Sequence, residues 1–234
     1  MDLHPTLQRA FDRVELVGGS IGDPGQGRMC LMSFVAFLAG EPHSDSPGCA
    51  SPLIQTFAVL VNDHMPHAAR QRLKPFAPRI IGTNDGLDGV RAAVLLHALA
   101  EGGLPEAPRQ DPADAAPANG GGFAKLRRLW CRLRGDERQR LLRRALSRDD
   151  EGIDLARETA RLIARSARRT PCAREQERHW NAAIGLLDRL CDVGAPTRRR
   201  PGVRGERLAR LENTPRSCQD APAREEKPTV HLLL

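Results

Sequence analysis

Tyrosine is missing from this sequence altogether, and aromatic residues of any kind make up only 3% of its 234 positions. A core so poor in aromatics must be filled by Leu, Ile, Val and Ala, which suits helix-on-helix packing better than a sheet sandwich. The same scarcity argues against a single-strand nucleic-acid binder, whose bases stack on aromatic side chains. Long apolar runs are missing too. The longest, Cys30 to Ala39, is about half the length a helix needs to cross a bilayer. No cationic-then-apolar leader opens the chain. The six cysteines, at positions 30, 49, 131, 172, 191 and 218, show no C-x2-C pair and no regular spacing. These absences predict a cytoplasmic protein with reduced thiols and no membrane contact. No internal repeat at a fixed period is present.

What the sequence does hold is charge, unevenly placed. Residues 1–122 carry 9 Lys+Arg against 13 Asp+Glu, a net of −4, whereas residues 123–234 carry 27 against 16, a net of +11. A basic half fits a polyanion partner, and it also fits simple attraction to the acidic half. Ala and Arg, both good helix formers, are abundant.

The spacing of apolar residues predicts an all-α fold: a helical domain with irregular Pro/Gly-rich loops, then a small basic helical bundle, then a disordered tail. The first domain spans 1–103. Leu7, Ala10, Phe11 and Val14 fall at helical spacing within His4 to Leu16, which reads as a helix or as a helix followed by a strand. Val17 to Gly27, with five Gly and one Pro, is a loop. It lacks the Gly-Lys-Ser/Thr ending of a phosphate loop. Met29 to Ala39 is apolar on every side, so it is a buried helix that Gly40 and Pro42 end. Ser51-Pro52 reads as an N-cap with Pro at N1, opening a helix that runs to about Asn62 or His64. Leu87 to Glu101 forms a further helix with Val90, Ala93, Val94, His97 and Ala98 on one face. Leu104 to Gly122, rich in Pro, Ala, Gly and Asp, is a linker. The bundle spans 123–193 as four amphipathic helices, near 123–133, 136–148, 152–168 and 171–190. From Gly194 to the end, low apolar content predicts disorder.

The densest group of chemically able residues lies between Cys30 and Pro52. Cys30, His43, Asp45 and Cys49 supply the sulfur, nitrogen and oxygen donors that a tetrahedral zinc ion accepts. The same segment reads equally as an interhelix loop in which Ser44 or Asp45 caps local N–H groups and Glu41 and His43 pair nearby. A nucleophile reading would use Cys49 or Ser44 with His43, His64, His67 or His97. A paired-carboxylate reading would join Glu41 to Asp45 or Asp63. No cofactor signature other than this zinc option is present.

The segment Ala39-Gly40-Glu41-Pro42-His43-Ser44-Asp45-x-Pro47-x-Cys49-x-Ser51-Pro52 belongs to a longer ordered pattern. That pattern continues through Ile54, Phe57, Asn62-Asp63, Arg72-Leu73, Pro75, Pro78-Arg79-Ile80 and Gly82-Thr83. It resembles a family of uncharacterised bacterial and phage-associated proteins over about residues 28–95. The resemblance implies no established activity. It covers the first half only; the arginine-rich second half departs from the Ala- and Trp-rich helices that usually follow.

The second half carries the partner expectation. Arg127, Arg128, Arg143 and Arg144 flank the apolar stripes of its first two helices, and Arg198, Arg199 and Arg200 open the tail. Phosphate contact needs such clustered cations, so residues 123–210 are the expected surface for a nucleic acid or other polyanion. The helices at 136–148 and 152–168 weakly resemble a helix-turn-helix pair. Acids at salt-bridge spacing, such as Glu137 to Arg140 and Glu158 to Arg161, support instead a solvated helical surface or a protein partner. The reading that follows is a cytoplasmic helical binding module, with a metal- or thiol-dependent enzyme centred on Cys30–Cys49 as the alternative.

Overall fold

A computed structural model describes residues 5–100, 152–196 and 203–212. The linker at 104–122, the helices expected near 123–133 and 136–148, and Arg127, Arg128, Arg143, Arg144, Arg198, Arg199 and Arg200 lie outside the described residues.

The fold is mostly helical. Helix α1 (Pro5–Arg13) leads into a small three-stranded sheet of two-residue strands: β1 (Glu15–Leu16), β2 (Gly22–Asp23) and β3 (Arg28–Met29). The central β3 pairs parallel to β1, with Leu16 opposite Met29, and antiparallel to β2, with Gly22 opposite Met29. This sheet departs from an all-α fold: β1 agrees with the helix-then-strand reading of His4 to Leu16, and β2 lies in the glycine-rich stretch expected to be loop. A 3-10 turn, Pro24–Gln26, supplies the bend between β2 and β3.

Helix α2 (Leu31–Ala39) is the hub. Eight of its nine residues are buried, as a helix apolar on every face requires. Gly40 ends it at φ 78°, a left-handed conformation that costs glycine little, and the Glu41 N–H closes back on the Ala36 carbonyl at 2.9 Å. Helix α3 (Pro52–His64) buries Leu53, Ile54, Phe57, Ala58 and Val61. Two short helices, α4 (His67–Arg70) and α5 (Ala77–Ile80), flank a 3-10 turn at Gln71–Phe76. Helix α6 (Asp88–Ala100) follows. Its buried face is Arg91, Leu95, Ala98 and Leu99, whereas Val90 is 52% exposed. Of the expected face, Ala98 is buried and Val94 packs against the core, whereas Val90, Ala93 and His97 are exposed.

Helices α7 (Ile153–Arg169) and α8 (Ala173–Asp192) match two helices expected in the second half. Both pack onto the first half, and one apolar core joins Ala10 through Leu99 with Leu155 through Leu211. Helix α7 lies along α3 and also meets α6 and α8, burying Ala156, Ala160, Ala164 and Ala167, small side chains that let packed backbones approach closely. Its entry is tight. Gly152, at φ 78°, sits where a Cβ atom would come within 2.5 Å of the Ala92 Cβ. Ion pairs reinforce the docking: Arg79 meets Asp188 at 2.5 Å and Asp192 at 2.8 Å.

Within the stretch expected to be disordered, residues 205–212 form helix α9 (Gly205–Glu212), which packs on α1 and α2 and buries Leu208 and Leu211. Two leucines and a valine are too few to mark a helix by periodicity, and here tertiary contact supplies what the local pattern lacks. Among the described residues no helix is long and apolar enough to cross a membrane.

Candidate functional site

The loop between α2 and α3 is organised by Glu41. Its carboxylate accepts hydrogen bonds from the backbone N–H groups of Gly48, at 2.6 Å, and Cys49, at 2.9 Å. The Ser44 hydroxyl accepts from Ser46 N–H at 3.0 Å, so the expected local cap is present. Two backbone groups, Gly82 N–H and Asn84 N–H, then donate to the Cys49 carbonyl, tying the loop to the turn before α6. Ser51 caps α3 by accepting from Ile54 N–H at 3.1 Å, with Pro52 at the first helical position.

The four candidate metal ligands do not converge. Cys30 is buried at the N-cap of α2, where its sulfur accepts from Ser33 N–H at 3.3 Å. His43 is exposed, with Nε2 3.1 Å from the Gly22 carbonyl. Asp45 is exposed. Cys49 is half-buried beside Glu41. Among the described residues no group of three His, Cys, Asp or Glu side chains is placed to hold a metal ion.

Nor are the thiols prepared as nucleophiles. Burial pushes the Cys30 thiol up, more than its hydrogen bond to Ser33 pulls it down. Burial, and then the hydrogen bond and charge of Glu41, push Cys49 up to about 12. Nucleophilic cysteine needs the opposite surroundings, cations and open solvent. Of the paired carboxylates, Glu41 is committed to two backbone donors, and Asp63 accepts from Gly19 N–H at 2.9 Å.

A denser polar group sits outside the residues singled out from the sequence. Arg91 is fully buried. It donates to both oxygens of Asp85, at 2.7 and 2.8 Å, and to Asp88 at 2.9 Å. Its remaining donors reach the Leu190 and Val193 carbonyls at the end of α8. Asp88 in turn accepts from the Ser51 hydroxyl at 2.5 Å, and Thr83 Oγ1 accepts from Ser51 N–H at 2.9 Å. This network joins the start of α3, the turn before α6, α6 itself and the end of α8. The one signal for it was Asp85, Asp88 and Arg91 at three-residue intervals, which reads as a surface ion pair until burial is known.

The second distinctive surface is the corner between α7 and α8. Thr170 and His179 are buried there, with Thr170 Oγ1 3.3 Å from His179 Nε2, and Gln176 donates to the Ala167 carbonyl at 3.2 Å. Around this fixed corner Arg168, Arg169, Arg174 and Arg178 are exposed and make no ion pair among the described residues. Three of the four acids of α8 turn to the first half instead: Glu177 lies 3.8 Å from Arg72, and Asp188 and Asp192 hold Arg79, while Glu175 sits in the first turn beside Arg174. Arg174 stands in the first turn of α8, where the helix dipole disfavours a cation. Arg157 and Arg161 farther back pair with Asp154 and Glu158 at i,i+3 spacing, as the sequence predicts for the latter.

Comparison of the chain with protein-family models, with curated proteins and with solved structures returns no match.

Proposed function

We propose that the protein is a helical binding module that contacts a polyanion, a nucleic-acid duplex, through its arginine-rich second half. The observation that carries this reading is the division of charge on α7 and α8. On α8, Glu177, Asp188 and Asp192 pair with Arg72 and Arg79 of the first half, on α7 Asp154 and Glu158 pair with Arg157 and Arg161, and Arg168, Arg169, Arg174 and Arg178 stay exposed around one corner. Phosphate binding asks for cations that are clustered, accessible and not already neutralised. Arg127, Arg128, Arg143, Arg144, Arg198, Arg199 and Arg200 extend the same reading along residues 123–210 in sequence. The scarcity of aromatics favours a duplex over a single strand. A cytoplasmic setting accompanies the proposal, supported by the free cysteines at 30, 49, 172 and 191.

The test is an electrophoretic shift of a duplex DNA across a salt series. The full chain should shift it, with affinity falling steeply as salt rises. Replacing Arg168, Arg169, Arg174 and Arg178 together by Gln should weaken binding. It should also flatten the logarithmic salt slope by about 0.9 for each phosphate that is no longer neutralised. A shift and slope unchanged in the quadruple variant, or no shift at low salt, would overturn the proposal.

A further inference from the structure

We infer that the surface made by α1 and the last turn of α2 is an exchangeable docking site for an amphipathic helix, on which residues 203–212 of a second copy of this chain can replace the chain's own α9. The resident helix defines the chemistry that the surface accepts. Leu208 and Leu211, three positions apart and so on one face, are 8% and 1% exposed, and Val203 packs beside them. Arg207 places its guanidinium 5.3 Å from the centre of the Phe37 ring. The Arg204 N–H donates to the Leu38 carbonyl at 3.1 Å, an acceptor left open at the end of α2. The Arg204 side chain lies over Gly40, where a Cβ atom would approach it to 3.0 Å. The site therefore asks for two leucines, one stacking cation and one backbone donor.

Exchange follows from how little holds α9. An eight-residue helix does not sustain itself in water, so α9 is ordered by docking and pays its ordering entropy there. Against that stand two leucines, a half-buried valine, the Arg207 stack on Phe37 and one backbone hydrogen bond from Arg204, whereas α2 buries eight residues and α3 six. Such a segment opens locally long before the core does. Its departure uncovers Phe37 and the end of α2, an apolar surface that water does not satisfy. The anchor of the preceding helix stays behind, since α8 is held by Arg79 and Arg91. Identical contacts form whether α9 docks at home or on a second copy, the condition under which swapping is cheap.

The experiment uses the full chain and a labelled peptide of residues 201–214. The chain carrying Leu208→Asp and Leu211→Asp, whose own helix cannot dock, should bind the peptide saturably. The wild-type chain should bind it at least tenfold more weakly, because its own α9 competes. A peptide carrying Leu211→Asp should not bind either chain. Unmutated chain, warmed at high concentration and examined by light scattering, should yield dimers that return to monomers on dilution. Should the double variant fail to fold, hydrogen exchange on the wild type decides: amides of 205–212 should exchange much faster than those of α2. Peptide that binds neither folded chain, or exchange in α9 as slow as in α2, would make α9 a fixed part of the core and overturn the proposal. Peptide binding with no dimer at any concentration would overturn the exchange between copies.

Discussion

Arg91 grips the Asp85 carboxylate with two parallel hydrogen bonds, at 2.7 and 2.8 Å, from a side chain wholly shielded from water. A buried guanidinium is tolerated only when its donors are met, and here Asp85, Asp88, the Leu190 carbonyl of α8 and the Val193 carbonyl just past it meet them. Because Asp88 also holds the Ser51 hydroxyl, one cation links the cap of α3 to the end of α8. The two halves of the chain thus share a polar joint as well as an apolar core.

Arg91→Ala should therefore destabilise the protein by about 3–5 kcal/mol, the cost of leaving Asp88 and Asp85 without their partner. Arg91→Lys keeps the charge but loses the two-pronged geometry, and should fall between the Ala variant and wild type. Urea denaturation of the full chain checks both. An Arg91→Ala midpoint within error of wild type would mean that water replaces the network at no cost.

Cys49 should be a poor thiol nucleophile. With its pKa raised to about 12, roughly one molecule in ten thousand carries a thiolate there at pH 8. Cys172, exposed before α8, should alkylate first among the four cysteines described. Glu41→Gln removes the charge that opposes ionisation, so it should quicken Cys49 while loosening the loop that Glu41 clamps. Timed iodoacetamide labelling read by peptide mass spectrometry gives the rates. Equal rates at Cys49 and Cys172 in the wild type would contradict this account.

Local rules carried much of the fold. The buried α2, its stop at Gly40, the Ser51-Pro52 start of α3 and the apolar faces of α7 and α8 are set by periodicity and capping, which act over a few residues. The face of α6 was legible only in part, at Val94 and Ala98, because one of its fully buried side chains is an arginine and hydrophobic periodicity counts arginine as surface. Several residues of the ordered pattern over 28–95 prove to bind distant backbone. Glu41 holds Gly48 and Cys49, and Asn62 holds Leu31 N–H and the Val17 carbonyl. Cys30 and His43 looked like part of a ligand set because side chains that bond a backbone and those that bind a metal are drawn from the same residue types; here they meet Ser33 N–H and the Gly22 carbonyl. Helix α9 was illegible for a different reason: its order comes from α1 and α2, far away in sequence.

Trp180 gives a test of packing against polarity. Its ring is buried on α8, and its indole N–H has no hydrogen-bond partner among the described residues. An unmet buried donor costs about 1–3 kcal/mol, which offsets part of what the ring contributes. Trp180→Phe removes that donor and retains an aromatic ring, so it should change stability by less than about 1.5 kcal/mol. Trp180→Ala should cost about 3–5 kcal/mol through the cavity left behind. Thermal melts of both variants separate the two contributions. A Phe variant as damaged as the Ala variant would show that the indole N–H is satisfied after all.

Stability should weaken as the solution turns mildly acidic. Burial holds His179 below its ordinary value of 6.5, against the pull of Glu175. Burial also lowers His64, helped by the charges of Arg168 and Arg161 and opposed by Asp63. The unfolded chain takes up these protons near pH 6.5, and the folded chain only at lower pH. Stability from the neutral rings is therefore complete above pH 6.5 and is lost as pH falls from there through the folded values. Above about pH 5 the carboxylates contribute little to this slope, since their ordinary values lie near 4. Urea midpoints between pH 8 and pH 5 should be flat down to about 6.5 and then decline. His64→Gln with His179→Gln should start from a lower plateau, because the Thr170 contact is altered, and should show a shallower decline. An acid limb of unchanged steepness in the double variant would assign the protons to other groups.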